Sequence, residues 1–175
     1  DGITARTLPG EDARGAYFVR GSGHNRHGGY TEDSGEYQDV MDRLLVKWET
    51  LRNTVPTAVV RRAAQATRLG LIAFGSSDGA VNEAMDELAA EGTHLDYLRV
   101  RAFPFGYEVA AFIAEHDSLL VVEQNRDAQL RSLLMTELEV PAQKLVPVLH
   151  YNGMPLPSRA VVAAVQAHLD EEAAA

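Results

Sequence analysis

Cysteine is absent from the 175 residues, which removes structural disulfides, thiolate zinc sites, cysteine nucleophiles and any iron–sulfur ligand from this polypeptide. A cluster working with this chain would have to sit on a partner. Aromatic residues are scarce at 7%, with a single tryptophan, Trp48. No apolar run approaches the ~20 residues that span a bilayer, so no membrane segment is expected. Basic residues are the minority, 16 against 25 acidic ones, for a formal net charge of −9. That balance argues against wide contact with a phosphate backbone unless the basic groups cluster, and Arg61-Arg62 is too small a patch. Nucleic acid is therefore not an expected partner. Residues 1–35 carry no apolar signal-peptide core, and a cytoplasmic home is the expectation.

What is present suits a globular chain. The hydrophobic share is 46%, and the length fits one ordinary domain plus extensions. The first residue is Asp rather than Met and the opening stretch has little to form a core, so a piece of a longer polypeptide is expected. Residues 1–35 hold eight of the 14 glycines together with Pro9, His24 and His27, and read as a loop over a surface. From Glu36 the pattern changes: Met41, Leu44, Leu45, Trp48 and Leu51 recur at steps of three and four, one apolar stripe of a helix that ends near Pro56. Residues 58–68 are ambiguous, a short strand over Ala58–Val60 followed by a polar linker.

Strand and helix then alternate. LGLIAFG (69–75) precedes a helix over 80–91 with Val81, Ala84, Met85 and Leu88 on one face, and LDYLRVR (95–101) precedes a helix over 107–116 with Val109, Phe112 and Ile113 inward. SLLVVE begins at Ser118 and feeds a helix burying Leu130, Leu133, Leu134 and Leu138. KLVPVL (144–149) leads to a last helix from Ser158 with Val161, Val162, Val165 and Leu169 inward. Four such units predict an α/β fold, a doubly wound, mainly parallel sheet with helices on both faces, because parallel neighbours need helical crossovers. The expected organisation is a lead-in segment over 1–68, the α/β domain over 69–170, and a tail over 171–175.

Several residues invite a chemical reading. Gly75-Ser76-Ser77-Asp78-Gly79 lies between a strand and a helix and matches G-x-S-x-G, the turn that exposes a nucleophilic serine in α/β hydrolases. Asp117 with His150 or His168 would complete the order, though nothing singles them out. The competing reading is a tight turn at Gly75 with Ser77 or Asp78 capping the helix, or an anion contact at the helix start. His24 and His27, with Glu32 or Asp33, could share a metal. A held site presents three or four ligands, so no ligand set is assigned. Glu123, Gln124 and Asn125 close a strand at the sheet edge where ligands and partners bind. A structural or interface role is favoured for them, with Asp127 as the cap of the helix that follows. Phe103 and Phe105 read as core or interface, and HYNGMPLP, with Gly153 and Pro157, as a stiff connection.

The run VVEQNRDAQLRSLL followed by KLVPVLHYNGMPLPSR resembles the C-terminal region of the α subunit of 2-oxoacid:ferredoxin oxidoreductases, especially the 2-oxoglutarate type. DGITARTLPG, GSGHNRHGGYTEDSGEYQDVMDRLLVKWE, GLIAFGSSDGAVNEAMDEL and LRVRAFPFG are similar to the segments that precede it in that family. The order and spacing of these blocks make the resemblance specific, although no single block is. The resemblance implies a transketolase C-terminal-like domain, with the lead-in as the end of a thiamine-diphosphate domain. It implies an enzyme that oxidatively decarboxylates a 2-oxoacid to acyl-CoA and reduces ferredoxin. Thiamine diphosphate supplies the carbanion chemistry, and the β subunit carries its pyrophosphate, Mg²⁺ and a [4Fe-4S] cluster. Coenzyme A is a substrate, and the implied partners are the remaining N-terminal part of the α subunit, the β subunit and, through the complex, ferredoxin. This chain has no Y-P-I-T-P-type segment, no G-D-G metal motif and no cysteine, so the resemblance transfers no catalytic, cofactor-binding or metal residue, and the isolated chain is expected to be inactive. Five positions are carried forward as interface or active-site-proximal: His24, Asn25, Glu123, Gln124 and Asn125.

Overall fold

The computed structural model describes residues 1–8, 10–16, 21 and 23–174. Two compact units divide the chain, Asp1–Val55 and Pro56–Ala175. In the first, helix α1 spans Ser34–Arg52, and the Asp33 carboxylate caps it by accepting the Glu36 N–H at 2.8 Å. The start of the chain is tied to this helix: the Arg43 guanidinium donates to the Gly2 carbonyl (2.7 Å) and the Thr50 hydroxyl to that of Asp1 (2.7 Å). The apolar stripe read from the sequence is helical, but it is not a core. Only Val40 on α1 is buried, while Leu45 is 64% and Trp48 46% exposed; the described part of this unit has no second α-helix to lie on the stripe.

The second unit is an α/β sheet of five strands: β1 (Val59–Arg61), β2 (Leu69–Phe74), β3 (Asp96–Val100), β4 (Ser118–Glu123) and β5 (Leu145–Leu149). They lie in the order β1-β3-β2-β4-β5, all parallel except the antiparallel edge strand β1. Helices α2 (Ser77–Ala90), α3 (Tyr107–Glu115), α4 (Gln129–Leu138) and α5 (Ser158–Ala174) follow strands β2 to β5 in turn. Two readings shift. Because β1 pairs with β3, residues 56–68 belong with the sheet, not with the lead-in, and α5 continues through 171–174 where a tail was expected.

Side-chain alternation divides the core into two layers. Leu71, Ala73, Leu120 and Val122 pack with Val81, Ala84, Leu88, Val161 and Val165 of α2 and α5. Ile72, Leu98, Leu119 and Val121 pack with Val109, Phe112 and Ile113 of α3 and Leu130 and Leu134 of α4. Gly70 is a close approach in the sheet, since a Cβ there would lie 2.9 Å from Leu119 Cδ2 and 3.1 Å from the His116 ring.

A polar group is built into the end of the sheet remote from the strands' carboxyl ends. Asp96 accepts from the Ala63 N–H (2.8 Å) and Arg62 Nη1 (2.6 Å), and the His116 Nε2 stands 3.2 Å away. Burial alone would raise the Asp96 carboxyl; the Ala63 N–H, the Arg62 cation and His116 outweigh it and hold the group below its ordinary value.

Candidate functional site

In the strand order, β2 is the point at which the winding reverses: the chain leaves it for β3 on one side and later returns to β4 on the other. The crevice beyond the carboxyl ends of β2 and β4 is therefore the position where such sheets bind ligands. The turn after β2 and the residue following β4 meet here. Gly75, at φ +60°, lets β2 turn directly into α2, a conformation that costs a side-chain-bearing residue strain. From the end of β4, the Gln124 amide reaches across and donates to the hydroxyls of Ser76 (3.0 Å) and Ser77 (3.2 Å). Ser76 and Gln124, together with His150, Tyr151, Gly153 and Met154, line an open crevice of about 640 Å³.

The expected caps are absent. Ser76 occupies the N-cap of α2 without a side-chain cap bond, and Asp78 is drawn instead to the Tyr97 hydroxyl (3.0 Å) and Arg99 (3.1 Å). Burial first, and the bond donated to Asp78 second, push the Tyr97 phenol above its usual value. Asp127 does not cap α4 either. That work falls to Glu123, fully buried, whose Oε2 accepts the Leu130 N–H (2.7 Å) and whose Oε1 accepts the Arg131 N–H (2.9 Å). The Asn125 amide donates a third bond to Glu123 (2.7 Å), and the Asn125 Oδ1 receives the N–H groups of Asp127 (3.0 Å) and Gln129 (3.3 Å). A carboxylate at a helix N-terminus satisfies orphan N–H donors and faces the positive end of the dipole.

The Glu123 carbonyl also accepts the His150 N–H at 2.9 Å, and the His150 ring bonds the Met154 carbonyl, so the loop after β5 is fastened to the same strand end. Glu123 is thus an internal fastening and has no surface to offer a partner; Gln124 is exposed and Asn125 half-buried. Next to this crevice, Phe74, Val100, Phe103, Phe105, Leu130 and Leu133 help to line an apolar depression of about 410 Å³. Phe105 is buried and Phe103 half-exposed, their rings meeting edge to face at 5.3 Å. The chemistry available here is contact and orientation. Glu123 has both oxygens occupied, and the serine hydroxyls meet an amide rather than a base.

The remaining candidates lie in the first unit. His24 and Tyr30 bridge across a tight turn in which Asn25 Oδ1 accepts the His27 and Gly29 N–H groups, both at 3.0 Å. The segment read as an open loop is therefore a closed hairpin organised by Asn25. His24 Nδ1 bonds the Asn25 carbonyl at 2.8 Å. Among the described residues, no group of three or more His, Cys, Asp or Glu side chains is placed to hold a metal ion.

No family model matches the chain. Over 176 residues it is 29% identical to 2-oxoacid:ferredoxin oxidoreductase 2, subunit alpha, of Aeropyrum pernix, a match that takes in 97% of this chain and 26% of that protein. The chain resembles part of a 2-oxoacid:ferredoxin oxidoreductase α subunit. Its fold is that of the corresponding part of the Magnetococcus marinus 2-oxoglutarate:ferredoxin oxidoreductase, solved with 2-oxoglutarate, coenzyme A and succinyl-CoA bound. The TM-score is 0.78 at 22% identity, over 94% of this chain and 28% of that one. A split-gene transketolase, solved as an inactive beta4 tetramer, matches 62% of this chain and 41% of its own at TM-score 0.51 and 22% identity, in keeping with the transketolase-like sheet. The chain thus spans about a quarter of the length of these two oxidoreductase relatives.

This α-subunit-like chain should not react as a serine hydrolase. Ser77 is 2% exposed and accepts from Gln124, while the nominated partners are engaged elsewhere: His150 with Met154, His168 with Ser118, and Asp117 with Arg68. Incubation with a fluorophosphonate is expected to leave the intact mass unchanged. A covalent adduct that disappears in Ser77→Ala would restore the hydrolase reading.

Proposed function

We propose that the chain is the C-terminal part of the α subunit of a 2-oxoacid:ferredoxin oxidoreductase of the 2-oxoglutarate type, acting in the cytoplasm. There it serves structure and subunit contact while the rest of the complex carries out oxidative decarboxylation to acyl-CoA and reduction of ferredoxin. The observation that carries this reading is similarity to an α subunit running through 97% of the chain. The local chemistry agrees: the polar groups at the switch point are spent on fastening loops to strand ends, and Glu123 is enclosed. No helix among the described residues is long and apolar enough to cross a membrane.

The described residues of this chain offer no ligand set for a cluster or for Mg²⁺. The chain has no cysteine for a cluster, and its described residues form no acidic or histidine group suited to Mg²⁺. Thiamine diphosphate, Mg²⁺ and the [4Fe-4S] cluster are accordingly assigned to the preceding part of the α subunit and to the β subunit. The first unit is the end of the thiamine-diphosphate domain, and the exposed stripe of α1 is its contact with the remainder of that domain, since an uncovered apolar face of this kind marks an interaction surface. Gln124 and Asn125, and the hairpin at His24 and Asn25, are the proposed interface positions.

Affinity capture of the chain from its source, with intact masses of everything bound, tests this. The expected result is a longer form or an N-terminal companion, a cluster-bearing β subunit, and dye reduction that requires both 2-oxoglutarate and coenzyme A. A lone 19.1 kDa species without partner or turnover would overturn it.

A further inference from the structure

The loop that follows β5 brings together an asparagine and a nucleophilic backbone nitrogen. Of the five asparagines in the chain, Asn152 alone is followed by glycine. The backbone requires that glycine: the Gly153 φ of +83° lies in the left-handed region, which side-chain-bearing residues occupy only with strain. Both residues are exposed. No atom beyond the chain neighbours lies within 4 Å of the place a Cβ would take on Gly153, so nothing shields the peptide on that side. Asn152 Oδ1 accepts the Met154 N–H at 3.0 Å, an Asx turn that folds the side chain back along the Gly153 peptide. Among the described residues nothing holds the Asn152 Nδ2 or the Gly153 N–H. Elsewhere the amide nitrogens are tied down, that of Asn82 to Asp78, that of Asn125 to Glu123 and that of Asn53 to the Glu49 carbonyl, while Asn25 is followed by the bulky Arg26.

We infer that Asn152 is a site of spontaneous modification, converting to aspartate and isoaspartate with water as the co-reactant. The Gly153 nitrogen gives its proton to solvent and adds to Asn152 Cγ. Negative charge then gathers on Oδ1, where the Met154 N–H already stands as an oxyanion donor. The Cγ–Nδ2 bond breaks, Nδ2 takes up a proton and leaves as ammonia, and a cyclic imide remains. Water opens that ring at Cγ to give aspartate, or at the backbone carbonyl to give isoaspartate, and in either case returns the proton to the Gly153 nitrogen. Both products place a carboxylate in the loop that borders the crevice of Ser76, Gln124 and His150. Isoaspartate also lengthens the backbone by one carbon between His150 and Met154, which the bond from the His150 ring to the Met154 carbonyl, at 2.9 Å, does not survive unchanged. The inference rests on the loop alone and does not depend on the proposed enzyme.

Storage of the full chain in mildly alkaline buffer, followed by proteolysis and peptide mass mapping, is the test. The peptide containing Asn152 is expected to gain the mass difference between NH₂ and OH ahead of the peptides containing the other asparagines. It should separate into two forms on chromatography, one of which accepts a methyl group from an isoaspartyl methyltransferase. The rate should rise with pH, since the attacking nitrogen must lose its proton. Gly153→Ala keeps Asn152 but sets a Cβ beside the nucleophile, and is expected to slow conversion at least about tenfold. Conversion of another asparagine before Asn152, a parental rate in Gly153→Ala, or an unmodified Asn152 in the folded chain after a period in which the chain in urea converts fully would each overturn the assignment.

Discussion

Glu123→Ala destabilises the sheet unit by about 3–5 kcal/mol, since hydrogen bonds to a charged acceptor contribute roughly 1.5–3 kcal/mol each and the truncation removes several at once. The Leu130 N–H, in a buried position, loses its acceptor, the Arg131 N–H loses another, and the Asn125 amide that orders the intervening turn is released. Glu123 is wholly enclosed, so bulk water does not compete for these bonds in the parent. Glu123→Gln keeps one acceptor oxygen but turns an NH₂ toward the other donor, so a loss of about half that size is expected. Urea unfolding followed by far-ultraviolet circular dichroism is the appropriate measurement. Tryptophan emission is not, since the lone Trp48 lies in the first unit and reports on a different body. An unchanged midpoint in Glu123→Ala would show that the carboxylate does not hold α4.

A loss of similar size is expected at a site chosen for packing alone. Phe112 is 1% exposed, lies in the layer formed by α3 and α4, and stacks on the His116 ring with centroids 4.3 Å apart. The Arg62 guanidinium stands 5.4 Å from the centroid of the Phe112 ring. Phe112→Ala leaves a cavity that close-packed neighbours fill only in part, which costs about 3–5 kcal/mol. Phe112→Leu, which keeps most of the volume, should cost less than about 1.5 kcal/mol. Tyr151, 62% exposed at the crevice, is the comparison: Tyr151→Ala should stay within about 0.5 kcal/mol of the parent. Midpoints from the same urea series decide the matter. Equal midpoints for Phe112→Ala and Tyr151→Ala would contradict the two-layer core described here.

The two sites differ in how far the sequence foretells them. Phe112 is legible because helix periodicity is local: Val109, Phe112 and Ile113 share a face whatever that face later packs against. Glu123 announces itself only as a polar residue at a strand end. Its partners are the N–H groups of residues seven and eight positions on, brought back by a turn whose left-handed step at Ala128 (φ 50°) no composition rule indicates. Asp127 had the better local credentials as a cap and lost to a carboxylate already enclosed beside the helix end. The same reasoning covers Ser77 and Asp78. Either is a normal capping residue in isolation, but Tyr97 and Arg99 on the neighbouring strand compete for Asp78, and Gln124 claims the serines.

Alternating strand and helix periods, the lack of cysteine and the ordered blocks of family-like sequence were enough, without coordinates, to establish an α/β sheet, its parallel character and its likeness to an oxidoreductase α subunit. These are properties of neighbouring residues or of absent ones. The antiparallel placement of β1, the exposure of the α1 stripe and the enclosure of Glu123 were decided only in three dimensions. Each depends on which distant segment arrives beside a residue, and the free energy of burying a charge or leaving a helix face bare is set by that neighbour rather than by the residue itself.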